Sequence, residues 1–238
     1  MARVLAVLPA RGGSKSIPRK NLVDLGGKPL IAHMIQSTLA VRQITDFVVS
    51  TEDEEIAEVA RRYGAAVPFM RPADLAEDLV PGLPVLQHAV NEMERRTGAP
   101  YDYIVLMQAT APLTRSVDIE QCVVRLMQGG CESVVTCVRV TTYHPFRMKR
   151  IIGGDVLVHY SDQGFEDMRP RQILPPVYKR SGGVYASTRK TVMENNTIVG
   201  PDARAVVVPD EIGIDIDNMA DLVLTRFYYD QLNAKRGG

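Results

Sequence analysis

Net charge is the plainest thing this sequence lacks. Lys+Arg and Asp+Glu number 28 each across 238 residues. A general nucleic-acid binder carries a basic excess, so that class is set aside. Cysteine is scarce: Cys122, Cys131 and Cys137 show no CxxC metal spacing. Sparse, odd in number and placed in apolar patterns, they suit reduced thiols and a cytoplasmic setting. No apolar run approaches the roughly 20 residues of a membrane-spanning helix, so no membrane partner is expected. The first run, Val4 to Leu8, is too short for a signal-peptide core and leads into cations rather than a cleavage site. A dinucleotide fingerprint is missing, because Gly12-Gly13 does not supply G-x-G-x-x-G. A P-loop is missing too, because Lys15-Ser16 follows Ser14 where a glycine is required. The four histidines form no metal cluster and no Ser-His-Asp triad. There is no internal repeat.

Apolar runs alternating with helical patterns are present instead. "RVLAVLP", "DFVVST", "AAVPFM", "YDYIVLMQ" and "SVVTCVRV" read as strands. "KPLIAHMIQSTLAV", "DEEIAEVARRYG", "PVLQHAVNEMERRTG" and "SVDIEQCVVRLMQGG" read as helices, the second closing on Gly64 and the last capped by Ser116. Continuous apolar strands separated by helices predict an α/β fold, a mostly parallel sheet covered on both faces. The pattern breaks from Thr141 to Lys179, a Pro-, Arg-, Tyr- and His-rich excursion with one β-like piece, "DVLVHY". It resumes with "GGVYAS", "RAVVVP" and the helix "NMADLVLTRFYYDQLNAK". The tail "AKRGG" reads as frayed.

"LPARGGSKSIPRKN" follows the first strand. Ligands of open α/β sheets sit outside the carboxyl ends of the strands. Gly12, Gly13 and Ser14 let backbone N–H groups approach an anion. Arg11, Lys15, Arg19 and Lys20 add charge that suits a nucleoside triphosphate. A solvated basic turn is the alternative. Downstream, Asp215 and Asp217 in "IDID" read as same-side strand carboxylates. They suit a hard cation such as Mg²⁺, or else Asp217 or Asn218 caps the next helix. Arg71, after "AAVPFM", reads as a surface partner of Asp74 or Glu77. Lys179 and Arg180, with Arg169 and Arg171, form a second cationic cluster able to pair a carboxylate.

"LPARGGSKSIPRKNL" resembles the opening signature of the CMP-sialic acid synthetase (acylneuraminate cytidylyltransferase) family. "VVSTEDEEIAEVARRYGA", "RPADLAED", "LMQATAPLTR", "PRQILPPVY", "SGGVYAS" and "IDIDNMADL" follow in the family's order and span nearly the whole chain. The resemblance implies a Rossmann-like nucleotidyltransferase fold, one domain over residues 1–238 with 141–179 inserted as a dimerisation or lid excursion. It implies transfer of CMP from CTP to a 2-keto sugar acid, with Mg²⁺ on Asp215 and Asp217 and a homodimeric assembly. Arg11, Lys15, Lys20 and Asp215 then carry catalysis. Gly12, Gly13, Ser14, Asn21, Arg71 and Gln108 surround the nucleotide. Gln108, Thr110, Arg171, Gln172 and Lys179 meet the sugar, and His144 helps build the site. Ala109 and Ala111 replace the family's proline and serine, and Ser181 stands where it has asparagine. These departures leave the acceptor open among sialic acid, related nonulosonic acids and Kdo. They also keep a non-catalytic nucleotide-binding regulator as an alternative.

Overall fold

The first strand, β1 (Val4–Pro9), has its residues from Val4 to Leu8 fully buried. The computed structural model describes residues 2–160 and 169–234, apart from the Arg171 side chain. A small two-stranded turn, β2 (Asp24–Leu25) and β3 (Lys28–Pro29), precedes α1 (Leu30–Leu39). Next come β4 (Asp46–Ser50), α2 (Glu54–Arg62), α3 (Gly82–Thr97), β5 (Tyr103–Met107), α4 (Ser116–Met127) and β6 (Ser133–Arg139). A hairpin, β7 (Lys149–Ile152) and β8 (Val156–His159), stands apart from the main sheet. β9 (Tyr178–Thr188), α5 (Arg189–Met193), β10 (Ala203–Val207) and α6 (Met219–Ala234) complete the chain. Among the described residues, no helix is long and apolar enough to cross a membrane.

The main sheet has the order β10-β6-β9-β5-β1-β4. Alternate residues of a strand face opposite sides, and β1 divides its side chains accordingly. Val4, Ala6 and Leu8 pack with Ile31, Ile56 and Ile119 from α1, α2 and α4. Leu5 and Val7 pack with Leu86 and Val90 of α3 and Val192 of α5. Burial on both faces is what made these strands read as unbroken apolar runs, and the expected α/β architecture holds.

The sheet is parallel except at β9, which runs antiparallel to both β5 and β6. Among the described residues no α-helix links β6 to β9; the chain goes out through the hairpin and returns beside the strand it left, so it comes back reversed. "AAVPFM" makes only a single bridge, Ala66 to Val48, instead of a strand. Ser116 is the first residue of α4 rather than its cap. The Asp118 carboxylate caps that end, accepting the Arg115 N–H at 3.0 Å. "IDID" is not a strand either, but an extended loop leading into α6. Within 141–179 the β-like piece "DVLVHY" is one arm of the hairpin, and residues 161–168, like the tail beyond Ala234, lie outside the described residues.

Candidate active site

β1, β4 and β5 are parallel and in register, Pro9 beside Ser50 and Val7 beside Leu106. Their carboxyl ends therefore open on one edge, where the loops at 10–20, 51–53 and 108–115 meet. The opening loop is fixed from several sides. Ile17 is buried against Ile216 and Leu30. The buried Asn21 donates its amide to the Arg11 carbonyl at 2.9 Å. The Gly12 N–H donates to Glu52 Oε1 at 2.7 Å. That N–H is thus engaged by a carboxylate, which differs from the free anion nest expected at the glycines. A side chain at Gly12 would place its Cβ 2.3 Å from Asp53 Oδ2, so glycine is a packing requirement here.

The four cations do not act as one cluster. Arg11 and Lys15 converge on the two oxygens of Asp78, at 2.8 and 2.6 Å. Lys20 donates to the Ile216 carbonyl at 2.7 Å. Arg19, in the left-handed region at φ 55°, turns to Asp53 and Glu55. Its pairing holds the Asp53 carboxyl below the usual range, with desolvation opposing and the N-cap bond from Ile56 adding. Arg19 is therefore a structural cation. Lys15 hydrogen-bonds Asp78 and, with Arg11, lowers the pKa of that exposed carboxylate.

A cavity of about 220 Å³ lies between this loop and the end of β5, lined by Arg11, Ser14, Lys20, Asn21, Gln108 and Thr110. A wider cavity of about 570 Å³ opens over Arg11, Gly13, Lys15 and Asp78. Gln108, Thr110 and the opening loop are thus brought together as expected.

Asp215 stands beside Thr110. Its segment is anchored by the Ile216 N–H, which donates to the Thr110 carbonyl at 2.8 Å, while Ile216 itself is fully buried. One carboxylate oxygen, Asp215 Oδ1, is buried with no hydrogen-bond partner. Desolvation raises the Asp215 pKa; Thr110 opposes it by hydrogen bonding, Asp217 adds repulsion, and Lys20 and Lys179 pull back. Asp217 is exposed, and its backbone N–H donates to Asp221 Oδ2 at 2.9 Å. Asn218 caps α6, its Oδ1 accepting from Ala220 and Asp221. The capping alternative for Asp217 is thereby removed. Among the described residues, no group of three or more His, Cys, Asp or Glu could hold a metal. A hard cation that shares its shell with phosphate oxygens and water needs only one or two carboxylates, and the partnerless Asp215 oxygen fits that demand.

Arg71 is buried and pairs with Glu52 Oε2 at 2.5 Å, not with Asp74 or Glu77. Glu52 therefore ties Arg71 to the opening loop, a link that the sequence reading missed. Lys179 and Arg180 are exposed on β9. Ser181 is buried and turned into the sheet, its hydroxyl donating to Thr136 Oγ1 at 2.7 Å. Gln172 is not beside Gln108. It lines a separate cavity of about 610 Å³ on the excursion, with Arg139, His144, Arg147 and Arg169. The intended contact at Arg171 lies outside the described side chains.

The cytidylyltransferase family model matches residues 5–232. A pseudaminic acid cytidylyltransferase of Campylobacter jejuni is 32% identical over 225 residues, covering 94% of this chain and 95% of that protein. A CMP-N,N'-diacetyllegionaminic acid synthase of Legionella pneumophila is 33% identical over 224 residues, covering 94% of each. The fold matches a CMP:2-keto-3-deoxy-manno-octonic acid synthetase solved with CTP, at TM-score 0.70 and 20% identity over 97% of this chain and 99% of that one. With a family model spanning nearly its full length and relatives above 30% identity end to end, the chain belongs to the cytidylyltransferase family.

Proposed function

We propose that this enzyme transfers CMP from CTP to the anomeric hydroxyl of a nonulosonic acid and releases pyrophosphate. One observation carries the reading: Arg11 and Lys15 converge on a single carboxylate, Asp78, and Arg11 also lines the adjoining cavity walled by Lys20, Gln108 and Thr110. Two cations gripping two oxygens of one group is the arrangement a phosphate needs. The triphosphate displaces Asp78 and takes over both contacts, with Ser14 and Asn21 beside it. Lys20 stays fixed by the Ile216 carbonyl and faces the region where charge changes. Gln108 and Thr110 border the base or the incoming sugar, and Arg71 acts from behind through Glu52.

Asp215, with Asp217, would hold Mg²⁺, because Asp215 Oδ1 is buried and unpaired. Bound there, the ion neutralises charge on the phosphates. The protein's own contribution is alignment of the sugar hydroxyl with the α-phosphorus, in a site whose charges are already in place. Lys179, with Arg180, pairs the sugar carboxylate. The named substrates of the relatives, pseudaminic and diacetyllegionaminic acids, support a nonulosonic acceptor. The enzyme works in the cytoplasm, in keeping with three unpaired cysteines. It assembles as a homodimer through the excursion, where Ile151, Val156 and Leu157 are exposed.

Pyrophosphate release is the test, run with each nucleoside triphosphate against a panel of sugar acids. Turnover is expected with CTP and a nonulosonic acid. Equal turnover with ATP, or turnover only with an eight-carbon acid, contradicts the reading. Light scattering that shows a stable monomer contradicts the assembly.

A further inference from the structure

The pairing of β9 with β6 slips at one place. Val135 faces Tyr185 and Cys137 faces Arg180, so Thr136 alone stands opposite the stretch from Ser181 to Val184. The extra residues form a bulge rather than a continuous ladder. Thr136 is buried, and its single hydroxyl holds both ends of that bulge. It accepts the Val184 N–H at 3.0 Å and the Ser181 hydroxyl at 2.7 Å. The Ser181 hydroxyl in turn accepts the Gly183 N–H at 3.4 Å.

The bulge carries Gly182, at φ +77°, against the Asp215 carboxylate. A Cβ on Gly182 would lie 2.4 Å from Asp215 Oδ2 and 3.0 Å from Gln108 Oε1. The same carboxylate has its other oxygen buried and partnerless. One buried hydroxyl therefore sets the height of the backbone on which Asp215 and Gln108 rest.

We propose that Thr136 is a positioning residue: through the bulge from Ser181 to Val184 it fixes Gly182, and so the placement of Asp215 for cation binding. The inference rests on the reading of Asp215 as a metal ligand. Removing the hydroxyl strands the buried Val184 N–H and leaves the Ser181 hydroxyl only the Thr136 carbonyl, at 3.2 Å, which favours collapse of the bulge. Serine keeps the hydroxyl and so keeps the bulge. Side chains that act on a metal ligand from behind typically change metal affinity about 10- to 100-fold.

The test uses the full chain and Mn²⁺ alone, read by water-proton relaxation, with metal-free CTP affinity measured in parallel. Thr136→Val is expected to weaken Mn²⁺ binding about tenfold and leave CTP affinity near that of the parent. Thr136→Ser restores Mn²⁺ binding. Ser181→Ala keeps the Thr136–Val184 bond and shows a smaller loss in the same direction; it decides the matter if Thr136→Val fails to fold. Asp215→Asn separates the two ideas. Parent-like Mn²⁺ affinity in that variant removes the metal reading itself. Loss there, with parent-like affinity in Thr136→Val and Ser181→Ala, overturns the positioning role.

Discussion

Two carboxylates flank the cleft and are handled in opposite ways. Asp78 is exposed, doubly paired and held ionised by Lys15 and Arg11. Asp215 is largely desolvated, has one oxygen with no partner and is pushed toward its protonated form. The first arrangement stores cations under a counter-ion that solvent can help remove. The second keeps a carboxylate whose ionised form costs the fold stability. Charges that are already satisfied belong to binding in this account, and the unsatisfied one belongs to chemistry.

The largest expected effect lies on the unsatisfied side. Asp215→Asn should lower kcat on the order of 100-fold or more, the scale of losing one transition-state charge contact. Its thermal midpoint should not fall. A pKa raised on folding means that the ionised group costs stability, and that cost grows as pH rises from the unfolded value through the folded one. At neutral pH, asparagine removes the cost. A clear drop in Tm would make Asp215 a structural residue and erase the contrast.

Asp78→Asn sharpens the other half. Freeing Arg11 and Lys15 should tighten CTP binding by up to about fivefold, the scale of an exposed ion pair, and more at low salt. Weaker binding would mean that Asp78 orients the loop rather than stands in for a ligand. The smallest effect belongs to Arg19, the cation that left the cluster. Asp53 has a lowered pKa, so its pairing stabilises the fold above 3.8 and is lost as pH falls through the folded value. Asp53→Asn keeps a good helix cap but should flatten the loss of Tm below about pH 4. An unchanged acid profile would detach Arg19 and Asp53 from acid stability.

The sequence made some of this plain. β1, β4, β5 and β6 are buried on both sides, so their apolar runs are unbroken. Gln108 and Thr110 could be put beside the opening loop because strand ends in such sheets share an edge. The direction of β9 was hidden, because it depends on the path of the connection after β6. Ser181-Gly182-Gly183 also breaks the strand pattern at the place where the bulge forms. "IDID" alternates like a strand yet is held by single bonds to Thr110 and Lys20, which no local pattern reveals. The pairs Arg71–Glu52 and Lys15–Asp78 join separate loops, so charge spacing along the chain pointed Arg71 to the nearer Asp74 or Glu77 and offered no partner for Lys15.

The most direct test of the contrast is a metal-free CTP titration of Lys15→Ala and Asp215→Asn beside the parent. Loss of a charged hydrogen bond at Lys15 should weaken binding about 10- to 100-fold. Asp215→Asn should bind CTP no more weakly than the parent. Equal losses in both variants, or none at Lys15, would contradict the division between a binding rim and a chemical one.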